Sequence, residues 1–246
     1  MLRPLPRYLA LLVPRRHARR PVRGCPREAP RVFHGRVTPS DAPSADPPAL
    51  TPGFRGRPRT SGVALPPGQY EVHDFPVLSA GPTPNVDSAT WQLEVSTEDR
   101  TTFRWTWADL MALPQEDAVV DLHCVTRWSK FGTRWRGVSL DVLLADVPSA
   151  AQYALVGCYG GYTTNLPVAD LLGGKAWVAH TYDGRPLDPL HGGPARLLVP
   201  HLYLWKSAKW VRSITLLDAE QQGFWERNGY HDYGDPWREQ RYQGDP

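Results

Sequence analysis

A break near residue 60 constrains this chain more than any other feature. Residues 1–60 hold 12 of the 26 prolines, 13 arginines against three acids, and none of the ten tryptophans. A segment so rich in proline and so poor in large apolar groups cannot bury enough surface to offset the entropy of ordering it, so disorder is expected there. Residues 61–246 carry every tryptophan and 15 Lys+Arg against 22 acids, a balance of −7 beside the +10 of the first segment. The expected organisation is a basic Pro/Arg-rich extension over 1–60 and one folded domain over 61–246, long enough for one sizeable core.

The order of residues in the extension opposes a targeting role. Tyr8–Val13 is apolar for only six residues, short of the ~7–15 of a secretory core, and Pro14-Arg15-Arg16 ends it. Arg15-Arg16 and Arg19-Arg20 precede no apolar run, which a twin-arginine signal requires, and the frequent prolines oppose a transit-peptide helix. An upstream frame translated ahead of a true start near Val37 or Val63 is the alternative to a native tail. The expected location is the cytoplasm. No stretch approaches the ~18 consecutive apolar residues of a membrane span, and no nucleic-acid partner is expected. Cys25, Cys124 and Cys158 are too few and too scattered for a disulfide framework or paired zinc knuckles.

The folded region predicts α+β architecture with mixed β-sheets and short helices. Trp91–Val95, Thr102–Trp105 and Val119–Leu122 alternate at period two and read as strands, as do Tyr153–Val156, Ala176–His180, Arg196–Val199 and Val211–Leu216. Trp107–Leu113 and Ser139–Leu144 space apolar residues three or four apart behind Thr106 and Ser139, which predicts two short capped helices. Asp183-Gly184 is a turn signal, and the aromatic, acid-rich stretch 223–237 is expected to wrap the core as an ordered loop.

The densest group of reactive side chains is Asp121–Lys130, expected as a strand running into a polar, basic loop with Cys124 at the strand's carboxyl end. Cys124 suits a small buried hydrophobe as well as a functional thiol. A metal pair with His123 is implausible because neighbours on a strand face opposite ways. A Cys/His nucleophile stays open, with His180, His191, His201 or His231 as base, although no hydrolase motif surrounds them. Cys158 lies in an apolar run and reads as structural, and Trp128, Trp205 and Trp210 read mainly as core.

His123–Ser129 followed by Trp135–Leu144, then Tyr182–Leu187, His191–Pro200 and Trp205–Val211, resemble in order and spacing the molybdenum-cofactor domain of the sulfite-oxidase family. The resemblance spans about residues 65–243, and by texture it is nearest the short bacterial oxidoreductases of that family. It implies a molybdenum–molybdopterin cofactor, with Cys124 as the protein's thiolate ligand to the metal. A soft thiolate suits a metal otherwise held by dithiolene sulfur. The resemblance also implies cofactor contacts from His73 and Phe75 in a capping loop, from Thr163 or Thr164, from His191, and from Arg196, Ser207, Ala208 and Lys209 around the pterin phosphate. For that dianion Arg196 offers a fork, Ser207 a hydroxyl and Lys209 a point charge.

Departures from the family pattern shape the rest of the expectation. The chain shows no segment matching the family's dimerisation or haem domains, so the resemblance implies a monomer with an unidentified electron-transfer partner. The arginine-rich stretch after the cysteine is reduced to Arg127, which as the cation nearest Cys124 in sequence is expected to attract an anionic or dipolar oxo-substrate. The implied reaction is two-electron oxygen-atom transfer on a small S- or N-oxide or a sulfite-like substrate. The alternatives are a cofactor-free binding or scaffold protein that kept the fold, and a Cys/His hydrolase.

Overall fold

The computed structural model describes residue 62 and residues 64–246, so the expectation of disorder over 1–60 lies outside the described residues. Apolar–polar alternation sets the strands. β1 (Tyr70–Glu71) precedes β2 (Gln92–Ser96), whose Leu93 and Val95 are fully buried, and β2 pairs antiparallel with β3 (Thr102–Thr106). Thr106 then starts helix α1 (Trp107–Ala112): its hydroxyl accepts from the Asp109 N–H at 3.3 Å and the Asp109 carboxylate accepts from the Thr106 N–H at 2.8 Å. This reciprocal cap satisfies two helix-end donors.

β4 (Glu116–His123) and β5 (Trp128–Ser139) form an antiparallel pair, and Ser139 ends β5 while capping α2 (Leu140–Leu144) through the Asp141 N–H at 3.2 Å. There follow β6 (Tyr153–Cys158), β7 (Thr163–Pro167), β8 (Trp177–Tyr182), β9 (Arg185–Pro186), β10 (Arg196–Leu198), β11 (Val211–Leu217) and helix α3 (Phe224–Arg227). One sheet runs β3-β2-β11-β6-β7; the other runs β1-β5-β8-β10, with β4 also on β5 and β9 on β8. Parallel pairs (β2 with β11, β1 with β5) sit among antiparallel ones, so both sheets are mixed as expected.

On β8, Val178 packs into the larger core with Leu93, Val156 and Ile214, while the adjacent Ala179 packs with Leu122, Trp135, Leu187 and Leu198. The β1–β10 sheet is therefore covered on both faces, as the alternation of side chains along a strand requires.

The structure corrects three expectations. Residues 128–130, expected as loop, begin the 12-residue strand β5. Exposed Arg134 and Arg136 alternate along it with buried Thr133 and Trp135, so one charged face masked the strand. β7 was not foreseen. The C-terminal stretch is not wholly loop, since it contains α3. Among the described residues no helix is long and apolar enough to cross a membrane.

Candidate functional site

Cys124 is the first residue beyond β4, in the tight connection to β5. Its N–H donates to the Trp128 carbonyl at 2.8 Å and its carbonyl accepts from the Arg127 N–H at 2.9 Å, while Arg127 itself takes φ 78°. From the neighbouring chain, the Gln69 amide donates to the Cys124 carbonyl at 3.1 Å and β1 pairs with the start of β5 at Tyr70 and Trp128. The thiol is therefore held by backbone on both flanks. It is 6% exposed, and its sulfur lies 3.1 Å from the Thr126 hydroxyl. Burial raises the Cys124 thiol above its ordinary value, opposed by Thr126 and by the charges of Arg241 and Lys209. The candidate bases His180, His191, His201 and His231 bond instead to Gln115, the Phe75 carbonyl, Asp170 and the Tyr233 and Gly234 N–H groups, so the Cys/His hydrolase alternative lacks its base. Coordination to a metal is what would keep such a thiol deprotonated.

A cavity of about 420 Å³ adjoins Cys124. Two groups of side chains stand out in its wall. The first is polar: His191, Arg196, Ser207 and Lys209, with Ala208 between. Arg196 is 1% exposed and donates to the carbonyls of His191 at 2.9 Å, Leu197 at 3.3 Å and Ser207. Two of its five N–H groups remain for a ligand. The Ser207 hydroxyl accepts from the Val199 N–H at 2.8 Å, which leaves its own O–H to donate. Lys209 donates to the carbonyls of Leu78 and Leu190, each at 2.7 Å, and to the Ser79 hydroxyl at 3.0 Å, tying the capping loop down. His191 donates from Nε2 to the Phe75 carbonyl at 3.0 Å and stacks on the Phe75 ring, centroids 4.1 Å apart. Gly192 makes this crowding possible: at φ 110° it sits where a Cβ would come within 3.0 Å of both the Arg196 and the Lys209 Cβ.

Electrostatically this group is unfinished. Among the described residues no carboxylate pairs with Arg196 or Lys209. Burial, reinforced by Arg196, pulls the Lys209 ammonium down to about 8, and burial pulls the Arg196 guanidinium down to about 10. A buried cation and a half-buried one without an acid are costly in isolation and are completed by an anion. The phosphate of a pterin cofactor fits that requirement. The metal requirement fits too: among the described residues no three His, Cys, Asp or Glu side chains gather into a metal site, so a metal at Cys124 must bring most of its own ligands, as a dithiolene pterin does.

The second group is aromatic. Tyr162, Phe224, Trp225 and Tyr230 meet ring to ring at 6.1, 5.0 and 4.8 Å, and Trp205 reaches Tyr230 at 5.3 Å; all five line the cavity. Behind them lies a network that the sequence did not reveal. Lys206 and Glu226, both without exposure, pair at 2.7 Å, and Glu226 also accepts from the Thr164 hydroxyl at 2.9 Å and the Trp205 indole N–H at 3.0 Å. Removing one member of such a pair strands the other's charge, a loss of about 3–5 kcal/mol. Glu226, a lone acid between Trp225 and Arg227 in a stretch without clear periodicity, gave no sign of burial.

The expected site residues divide accordingly. Cys124, Phe75, His191, Arg196, Ser207, Ala208 and Lys209 meet at the cavity, with Trp128, Trp205 and Trp210, which were read mainly as core. His73 and Arg127 are exposed and outside its wall, and the cations acting on the thiol are Arg241 and Lys209. Thr163 and Thr164 are also outside it: Thr164 serves Glu226, and the wall is met instead by Gly160, Gly161 and Tyr162. Cys158 is buried in the core with its thiol pushed up to about 12, consistent with an inert role.

The Lys209 ammonium has a direct consequence. A phosphate monoester is mostly dianionic above about pH 6, so the affinity of the cofactor-free protein for a small phosphate monoester should hold near pH 7 and fall as the pH passes about 8 and Lys209 loses its proton. Calorimetric titration of Lys209→Met should find weaker binding with no such fall; a parallel fall in both proteins would place the titrating group elsewhere.

Comparison with known proteins agrees with this geometry. A family model described as oxidoreductase molybdopterin binding domain matches residues 80–225. The uncharacterized oxidoreductase YuiH of Bacillus subtilis is 41% identical over 184 residues, 74% of this chain and 93% of that protein. A putative protein-methionine-sulfoxide reductase subunit, YedZ1 of Azospira oryzae, is 32% identical over 151 residues, 61% of this chain and 57% of that protein. The solved structure of the sulfane dehydrogenase SoxCD from Paracoccus pantotrophus shares the fold, with TM-score 0.52 and 18% identity over 60% of this chain and 42% of that one. With the cysteine, the cavity and the paired cations in place, the chain belongs to the sulfite-oxidase-like family of molybdopterin-binding oxidoreductases.

Proposed function

We propose that this oxidoreductase removes an oxygen atom from a small, uncharged S-oxide or N-oxide, consuming two electrons and two protons and releasing the reduced compound and water. The observation that carries this is the distribution of charge around the cavity. Its wall cations, Arg196 and Lys209, both belong to the polar group that suits the pterin phosphate, and Arg127 lies outside the wall. What remains of the wall for a substrate is chiefly uncharged, apolar and aromatic, the aromatic group included. An anion such as sulfite would meet no uncommitted cation there, whereas a neutral S=O dipole with apolar substituents matches the ring faces and edges.

When bound, the cofactor supplies a metal that exchanges an oxygen atom together with two electrons. The chain does the rest. Cys124 would hold the metal against the cavity; Arg196 and Ser207 would hold the phosphate by hydrogen bonds, with Lys209 a positive charge beside it; His191 and Lys209 fasten the capping loop; and the aromatic group orients the substrate and limits water. Electrons arrive from a separate redox partner, and the chain works as a monomer in the cytoplasm.

The test is turnover by the dye-reduced, metal-loaded enzyme. Dimethyl sulfoxide or a methyl aryl sulfoxide should be reduced, and Arg127→Ala should change KM for it by less than about twofold, as for a surface side chain away from the site. Turnover of sulfite with an oxidising dye, and of no oxide with a reducing one, would reverse the proposed direction.

A further inference from the structure

The C-terminal turn reaches the ligand loop. Arg241 is 5% exposed; it donates from Nη1 to the Val125 carbonyl at 2.7 Å, one residue beyond Cys124, and from Nη2 to the Pro67 carbonyl at 3.1 Å. Its guanidinium carbon lies 5.1 Å from the centroid of the buried Tyr203 ring. The backbone presenting it is fixed by Asp245, whose carboxylate accepts from the Arg241 and Tyr242 N–H groups at 2.8 and 2.7 Å. The turn before β1 makes room: Gly68, at φ 68°, sits where a Cβ would come 2.7 Å from the Glu239 carboxylate and 3.3 Å from Arg241 Nη2. The acid nearest this cation, Glu239 at 3.5 Å, is 46% exposed, so solvent weakens its neutralising effect.

A buried, bidentate arginine in this place does more than fasten the chain end. It fixes the peptide next to the metal ligand, and it puts a positive charge beside a thiolate that has little solvent to screen it. That arginine lies outside the cavity wall, so it acts through Cys124 and touches neither substrate nor cofactor.

We propose that Arg241 is a positioning residue for the Cys124 ligand: it fixes the ligand loop through the Val125 carbonyl and, by its charge, raises the electron affinity of the metal that Cys124 holds. This rests on the assignment of Cys124 as the molybdenum ligand. A nearby positive charge favours the reduced metal and a nearby negative charge disfavours it, so two substitutions should have opposite signs.

The measurement is a dye-mediated redox titration of purified holoenzyme, followed by the Mo(V) paramagnetic resonance signal. Arg241→Gln should lower the equilibrium constant for one-electron reduction by roughly three- to tenfold, as for a partly screened charge, tenfold being ~59 mV. Glu239→Gln, which removes an exposed carboxylate, should raise it by a smaller factor. Arg241→Lys should recover most of the constant while its signal differs in shape, because the second hydrogen bond is lost. An Arg241→Gln enzyme with the wild-type constant and signal would overturn the proposal. If Arg241→Gln fails to accumulate, Glu239→Gln decides alone: a rise supports the proposal, and no change or a fall overturns it. Absence of molybdenum from the wild-type protein would instead remove the underlying ligand assignment.

Discussion

Replacing Cys124 with serine is expected to remove turnover while leaving the pterin bound. The anchors lie elsewhere in the chain: Arg196 on β10, and Ser207 and Lys209 between β10 and β11. Changing a group that only supports a metal ligand typically lowers activity or metal affinity ~10–100-fold, so loss of the ligand itself should exceed about a hundredfold. Serine also restores a hydroxyl of similar size beside Thr126, 3.1 Å from the present sulfur, so packing is nearly unchanged and thermal stability of the cofactor-free protein should differ little. Denatured samples assayed for pterin fluorescence, alongside single-turnover kinetics, separate the two effects. Pterin lost in step with activity would show that the thiolate, and not the phosphate group of residues, anchors the cofactor.

Arg196→Met is expected to have the next largest effect, and a different one in the loaded and unloaded proteins. In the loaded protein it removes a charge-assisted partner of the phosphate, about 1.5–3 kcal/mol, so cofactor affinity should fall ~10–150-fold. It also strands the carbonyls of His191 and Ser207, each a loss of about 1–3 kcal/mol when buried. In the unloaded protein the same change removes a buried cation with no carboxylate partner, which offsets part of that loss. The melting temperature of the loaded protein should therefore fall further than that of the unloaded one, by about 2–4 °C per kcal/mol of difference for a domain of this size. Unchanged cofactor occupancy under limiting supply would refute the anchoring role.

Much of this was legible in the sequence, for reasons that particular residues make plain. Leu93 and Val95 alternate with polar neighbours, and Thr106 and Ser139 stand before helical spacing, so β2, α1 and α2 follow from local chemistry. Cys124, His191, Arg196, Ser207 and Lys209 stand in ordered blocks, so resemblance located them, and the cavity unites them. Other features were hidden because their meaning is tertiary. β5 carries arginines on one face and reads as loop until β4 and β8 flank it. Lys206 and Glu226 look like surface charges, and their full burial depends on a meeting between segments 20 residues apart. Arg241, 116 residues from Val125, gives no local sign of acting on the ligand loop. Arg127 misled for the converse reason: closeness in sequence suggested a substrate contact, but its φ of 78° belongs to a turn whose side chain is exposed outside the cavity wall.

The most direct test of the central assignment, a molybdenum centre held by Cys124, is X-ray absorption at the molybdenum edge on purified wild-type and Cys124→Ser proteins. The account predicts molybdenum in amounts equal to chain in the wild type, with the sulfur shell losing one scatterer in the variant while the remaining sulfur distances persist. A wild-type protein without molybdenum, or a variant whose sulfur shell is unchanged, would contradict it.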